Sequence, residues 1–407
     1  MSLVASLAAV LPGAELPAAD DRWPWAAEPA MAVVHPSSTD EVAATVRWAA
    51  ANGVGVAVVA SGRRFRGTRP KGRPFLILAT DRLVGTEIYE PADLTITAKV
   101  GSRVSAVSAE LRAQRQWLPY DPPHLGDRTL GGLVATGESG PLWMGYGELR
   151  NHVLGATLVT GDGRVVRLGG RVVKNVAGFD MLKAVVGSRG TLGVLTSVCV
   201  RAFPIPLTDR LLVLRGESAS VLLPIARAVG TAPLMPVSCV VMTPAPVFSA
   251  ATALLVRLHG AEPTVEADQR TLEKHCGVSF ERAEAGGPNA SVPDHATDGA
   301  VVIEASVLPT RLPEALVAIR DTVGDTPLAI DTYRGALRAS LGASAIGAVT
   351  RLTARIEALD GALSARSTVP GIDAEALGSR PSRAVTELTT RLESAFDPQG
   401  VLWPSRP

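Results

Sequence analysis

Residues 127–140 read DRTLGGLVATGESG: four glycines, two threonines and a serine, with no aliphatic side chain larger than leucine or valine. In a chain that is 46% hydrophobic, so local a thinning of side chains limits what the segment can be. Glycine clusters in ordered proteins mark tight turns, positive φ, or a backbone that closely approaches something. In a linker they mark flexibility instead. The neighbouring sequence decides between these.

At 407 residues the chain is long enough for two or more cores. Lys+Arg and Asp+Glu number 40 and 39, so no basic stripe points to nucleic acid. Aromatic residues make up only 4%, while glycine (39) and proline (30) are plentiful, which suits strands, turns and backbone-lined sites. Cys199, Cys239 and Cys276 are odd in number and widely spaced, the pattern of buried cytosolic thiols rather than of disulfides or metal ligands. The opening MSLVASLAAVLPGAELPAADD lacks a basic n-region and is too short to span a bilayer; it reads as a first helix. A cytoplasmic protein is expected, without a membrane span of its own but able to sit beside the inner membrane through partners.

The chain divides into three zones. The first carries a strand in MAVVHPSS (31–38), a helix in TDEVAATVRWAAANG (39–53), a buried strand VAVVA (56–60), the loop SGRRFRG (61–67) and the strand FLILA (75–79), then a strand in 94–101 and a helix over 104–116. The second, roughly 119–206, is the glycine-rich segment, closing with a strand and prolines in GTLGVLTSVCVRAFPIP (190–206). The third reads β-α-β-β-α-β over 211–283 and begins a second, similar round at 300. It continues through the strand GALRASLG (335–342), a helix near 345–358 and the strand GALSARS (361–367), and a last helix spans 382–395. Two such units sharing one antiparallel sheet fit this pattern.

Several chemistries lack their motif. There is no GxxxxGK[ST] loop and no GxSxG elbow, and the six histidines (35, 124, 152, 259, 275, 295) never fall at ligand spacing. GSRGTLG (187–193) precedes a strand, whereas a dinucleotide fingerprint follows one and opens a helix. What remains is a pair of loops rich in small residues and backbone donors, ASGRRFRG (60–67) and DPPHLGDRTLGGLVATGESG (121–140). Backbone N–H groups in such loops can hold a pyrophosphate, with glycine permitting the approach and Arg63, Arg64 and Arg66 offsetting its charge.

The order of elements, with PPHLGDRTLGGLVATGESGP (122–141), GYGELRNHVLGATLVTGDGRVVRLGGRVVKNVAGFD (145–180), VVGSRGTLGVLTSVCVRAFPIP (185–206) and the closing FDPQGVLWP (396–404), resembles the vanillyl-alcohol-oxidase family of FAD-linked oxidoreductases, whose FAD domain is called PCMH-type. Within that family it is most similar to the FAD-binding subunits of glycolate oxidases. The resemblance is dense over 119–206, looser over 31–100 and architectural over 207–380. It implies an α+β protein: a PCMH-type FAD-binding domain of two α/β subdomains over 1–206, with the tail 381–407 packing back on it, followed by an antiparallel-sheet α+β cap over 207–380.

It also implies a site. Ser61, Gly62, Arg63, Arg64 and Phe65 in one loop, and Pro122, Pro123, Gly126, Thr129, Leu130, Gly131 and Gly132 in the other, would line the FAD pyrophosphate and ribityl chain. Ala135, Thr136, Ser139 and Gly140 would lie along the flavin, their side chains small because the cofactor fills the space. Gly190, Gly193 and Val194 would approach the adenine. Attachment in this family uses a histidine or cysteine in these loops; 61–67 has neither and His124 matches the non-covalent pattern, so FAD is expected to be non-covalent.

The implied activity is oxidation of glycolate or a similar small 2-hydroxy acid by hydride transfer to flavin, with electrons passed to a partner. The expected partners are a second flavoprotein subunit and an iron–sulfur electron-transfer subunit. Such chemistry needs a cation for the carboxylate and a base for the hydroxyl proton; Arg150, Lys174 and Arg338 are the candidate cations. Lys174-Asn175 reads more readily as the start of a helix capped by Asn175. The chain departs from its relatives at GPLWMGYG (140–147), at Arg150-Asn151 and at Trp403-Pro404-Ser405, which leaves open a FAD-bearing accessory subunit without a substrate of its own. A nicotinamide-dependent reductase of the cell-wall precursor type shares the FAD domain but finds no specific support here.

Overall fold

The computed structural model describes residues 3–11, 30–60, 73–170, 180–245, 250–283, 301–367 and 377–403. The amino-terminal layer holds helices α1 (Leu3–Val10) and α2 (Thr39–Ala51) and strands β1 (Val33–Val34), β2 (Gly55–Val59) and β3 (Phe75–Ala79). Helix α2 begins at Ser38, whose hydroxyl accepts from Glu41 N at 3.2 Å, while the Glu41 carboxylate accepts from Ser37 N at 2.7 Å, a reciprocal N-terminal closure. Strands β2 and β3 are almost wholly buried, as continuous apolar runs in parallel sheets are.

A second layer follows. It comprises β4 (Thr86–Glu90), β5 (Thr95–Lys99), α3 (Val104–Ala113), β6 (Gln116–Trp117), α4 (Leu130–Thr136), α5 (Trp143–Tyr146) and α6 (Leu149–His152), then β7 (Val153–Val159), β8 (Val165–Gly169), α7 (Met181–Val185), β9 (Val194–Arg201) and β10 (Phe203–Pro204). Its main sheet runs β4-β5-β9-β7-β8 and is antiparallel throughout. Both layers share one hydrophobic core, in which Val42, Leu76, Ile96, Leu130 and Val194 are sealed from solvent.

The remaining strands and helices are β11 (Thr208–Gly216), α8 (Ala219–Val229), β12 (Ser238–Thr243), β13 (Thr252–Gly260), α9 (Glu262–Cys276), β14 (Glu281–Ala283), β15 (Val301–Ser306), α10 (Leu312–Val323), β16 (Leu328–Asp331), β17 (Ala336–Leu341), α11 (Ile346–Glu357), β18 (Ala362–Ser367), α12 (Arg383–Phe396) and β19 (Leu402–Trp403). One eight-stranded sheet, β14-β11-β13-β12-β16-β17-β15-β18, carries both β-α-β-β-α-β units. The second unit repeats the strand order of the first in reverse, and β12 joins β16 at the seam. Helices α8 to α11 cover one face and form a second core with it.

The tail returns to the first layer. Strand β19 pairs in parallel with β2, completing the order β1-β3-β2-β19. The Asp397 carboxylate closes the turn before it, accepting from Val401 N at 2.8 Å and Leu402 N at 2.7 Å. Leu392 and Phe396 of α12 pack on the first core. Among the described residues, no helix is long and apolar enough to cross a membrane.

Candidate functional site

The glycine-rich segment is nailed to the exit of β5. Thr129 caps α4, its hydroxyl accepting from Gly132 N at 3.1 Å. Leu130 N donates to Ser102 O and Gly131 N to Val100 O, each at 2.8 Å. The amides that would form an anion nest at 130–132 are therefore committed within the protein, and this end shapes a site without offering free donors. A Cβ on Gly131 would stand 2.5 Å from the Val100 Cβ, so glycine is required here by packing.

Helix α4 has two faces. Leu130, Leu133 and Val134 are buried, whereas Gly132, Ala135 and Thr136, spaced i, i+3, i+4, are half-buried and small, with Ser139 just beyond. Gly137, at φ 63°, ends the helix. Val134 O then accepts from Gly187 N at 3.0 Å and Ala135 O from Arg189 N at 2.8 Å. These bonds bring the 187–194 turn beside α4. Gly190, at φ +87°, has open space where a Cβ would be, whereas a Cβ on Gly193 would meet Leu158 Cδ1 at 2.5 Å; Val194 is buried at the start of β9. Pro122 and Pro123 are buried and Gly126 faces open space. Ser61, Gly62, Arg63, Arg64, Phe65 and Lys174 lie outside the described residues.

A cavity of about 510 Å³ opens at the carboxyl ends of β2 and β3, lined by Ala60, Asp81, Ser102, Arg103 and Thr129 among others. Open parallel sheets take phosphorylated ligands at that edge. Thr129, which lines this cavity, is also the residue that caps α4.

Where the cap meets this segment lies a cluster of charges. Glu138, 11% exposed, pairs with Arg128 of its own layer and with Arg366 of β18. Glu304 of β15 takes Arg338 at 2.8 Å, with Arg366 at 3.7 Å and Arg334 at 3.9 Å. Burial opposes ionisation of Glu304, but the Arg338 and Arg366 guanidiniums outweigh it and hold the carboxyl below the usual range. Arg334 lies in the β16–β17 turn. Its Nη1 donates to Ser139 O at 3.3 Å and its guanidinium lies 5.9 Å from the Trp143 ring. Burial pushes Asp331, at the end of β16, up to about 6 although Arg334 N–H donates to it at 3.1 Å.

Of the candidate cations, Arg338 joins this cluster. Arg150 does not: it is exposed and pairs with Glu148 at 2.7 Å. Arg334 escaped sequence reasoning because its partner Ser139 is 195 residues away in the chain; the one local signal is the turn Asp331-Thr-Tyr-Arg-Gly335 ahead of a strand.

A second buried polar chain crosses the same boundary. Tyr146 Oη lies 2.8 Å from His259 Nδ1, His259 Nε2 lies 3.1 Å from Asp209, and Arg257 donates twice to Asp209 at 2.7 and 2.6 Å. Burial resists ionisation of Asp209, yet the His259 and Arg257 bonds bring it down to about 2. Nearby, burial pushes Asp121 up to about 7, partly offset by the Leu142 N–H that it accepts at 3.0 Å.

An acid raised in the folded state binds more protons than the unfolded chain between the two pKa values, so its contribution declines as pH rises. For Asp121 that window runs from about 4 to about 7. The wild type should lose up to about 4 kcal/mol across it from this group. Asp121→Asn, which keeps the acceptor for Leu142, should lack that portion of the slope in denaturant melts at pH 4 and pH 8.

Comparisons with known proteins bear on the fold and the cofactor. Residues 30–169 match the family model described as a FAD binding domain. The glycolate oxidase subunit GlcE of Escherichia coli (strain K12) is 45% identical over 119 residues, 29% of this chain and 34% of that protein. The D-lactate dehydrogenase of Archaeoglobus fulgidus is 34% identical over 174 residues, 42% of this chain and 38% of that protein. The D-2-hydroxyglutarate dehydrogenase of Xanthomonas citri pv. viticola is 34% identical over 206 residues, covering 50% and 43% respectively. The chain thus spans less than half the length of each of these relatives. Among solved structures, p-cresol methylhydroxylase superposes with a TM-score of 0.79 at 14% identity, over 99% of this chain and 96% of that one. The chain has that fold, carries a FAD-binding domain, and takes FAD as its cofactor.

Proposed function

We propose that this chain is a FAD-dependent oxidoreductase that oxidises glycolate or a similar small 2-hydroxy acid to the 2-oxo acid and passes the electrons to a partner. The observation that carries the reading is Arg334, a cap guanidinium held at Ser139 on the rim of the small-residue loop. Relatives named for oxidation of glycolate, D-lactate and D-2-hydroxyglutarate support the substrate class. Four arginines stand against Glu138, Glu304 and Asp331 in the cluster, an excess of one positive charge when all three acids are ionised. A single substrate carboxylate neutralises it.

Bound FAD supplies the hydride acceptor. Arg334 fixes the carboxylate, so that carbon 2 is presented to the small face of α4 (Gly132, Ala135, Thr136). The hydroxyl proton goes to a base, for which Asp331, poised near 6 beside Arg334, is the best-matched carboxylate. Glu304 keeps Arg338 and Arg366 aligned around the site. The word subunit in a relative's name supports partner chains, which we assign as a second flavoprotein and an iron–sulfur protein in a cytoplasmic assembly at the inner membrane.

The test is a visible spectrum. The purified protein should be yellow, and acid precipitation should release FAD into the supernatant, since 61–67 offers neither histidine nor cysteine for attachment. Anaerobic glycolate or D-lactate should bleach it. Colour without bleaching would assign the chain to the accessory-subunit class, and a colourless protein that cannot be reconstituted would remove the flavin reading altogether.

A further inference from the structure

The cluster at Glu138 holds a buried donor with no acceptor. Arg128 is 5% exposed; its Nε donates to Pro123 O at 3.0 Å and its Nη2 to Glu138, but its Nη1 has no hydrogen-bond partner among the described residues. The guanidinium is planar and rigid, so Nη1 lies beside the nitrogen that holds Glu138. A buried N–H left unsatisfied is costly. The same Glu138 carboxylate bridges to Arg366, which belongs to the cap.

Two arginines from two layers thus converge on one carboxylate that the chain itself supplies, while one of them has a donor to spare. We infer that the Arg128–Arg366 junction is a binding site for an oxoanion, a carboxylate in the first instance, and that Glu138 fills it from within until a ligand displaces it. The inference deepens the hydroxy-acid reading and rests on it for the identity of the ligand, though not for the existence of the site. Arg334 would hold the carboxylate next to carbon 2, and the junction would take a second anionic group. That group is either a second carboxylate on the substrate or a free oxoanion acting as an effector. Glu304, Arg334, Arg338 and Asp331 face the junction from the cap and balance one another, so Arg128 and Arg366 leave the junction net positive once Glu138 swings away.

The experiment uses the full chain and inorganic sulfate, followed by calorimetry. Glu138→Gln removes the competing charge, and the sulfate Kd should tighten at least tenfold relative to wild type. If that variant does not fold, Glu138→Asp serves: its shorter carboxylate cannot span both guanidiniums, and sulfate should again bind more tightly, by a smaller factor. An unchanged Kd in whichever variant folds overturns the inference. Because sulfate binding needs no turnover, the result stands even if the protein bleaches with no hydroxy acid. Where turnover is present, a gain in kcat/KM for a 2-hydroxy dicarboxylate but not for a monocarboxylate identifies a substrate subsite. Sulfate binding that leaves both unchanged identifies an effector site.

Discussion

Gly140→Ala should lower the melting temperature of the flavin-stripped protein as much as that of the loaded protein. A Cβ at Gly140 would stand 2.1 Å from the Asp121 carbonyl oxygen and 2.3 Å from its Oδ1, distances that only backbone movement can relieve. Asp121 is itself fixed, since its Oδ1 accepts from Leu142 N at 3.0 Å, so the loop 121–142 is closed on itself at this point. Overpacking of this severity costs roughly 3 kcal/mol, which for a protein of 407 residues is on the order of 3–4 °C. Gly126→Ala, where the added methyl meets nothing within 4 Å, should leave the melt unmoved. The comparison separates two reasons for small residues. If Gly140→Ala melted normally without flavin and only lost affinity for it, cofactor bulk rather than backbone packing would be the cause.

The distinction shows how far the sequence could be read. That 127–140 mattered was legible from composition alone; what the glycines face was not. Gly131 and Gly140 are small because Val100 and Asp121 press on them, and those neighbours lie 31 and 19 residues away. Gly132, Ala135 and Thr136 are small on a face that stays open. Spacing within a helix gives the face, and only the fold says which face is covered.

Elements followed the same logic. FLILA over 75–79 and TALLVRLHG over 252–260 are central strands, and their apolar runs give their bounds to the residue. β4 (TEIYE) and β8 (VVRLG) are edge strands with half-exposed residues, so neither run length nor alternation announces them. β16 is four residues long and owes its existence to β12 and β17 on either side. The same gap hid Arg334, which lies in the turn after β16. Arg150 was a candidate cation in the sequence, but α6 turns it to solvent and Glu148.

Arg334→Met should reduce kcat/KM for the hydroxy acid by about 10²- to 10³-fold, with most of the loss in KM, while the flavin spectrum stays as in wild type. A charge-assisted anchor on a carboxylate in a half-buried site is worth about 3–4 kcal/mol in such a comparison, which is that range of rate. The stability cost should be small by contrast. Arg334 reaches Glu304 only at 3.9 Å and Ser139 O at 3.3 Å, contacts worth roughly 1 kcal/mol or less together, and Glu304 retains Arg338 at 2.8 Å. A cation that contributes little to the fold and much to turnover is one held for a ligand. Arg334→Lys should recover only part of the loss, since an ammonium cannot grip a carboxylate through two parallel bonds. Arg150→Met, at the exposed pair with Glu148, should change neither constant by more than about twofold, given what surface pairs contribute. An Arg334→Met enzyme with wild-type KM and kcat would place the substrate carboxylate elsewhere in the cluster, with Arg338 the next guanidinium to test.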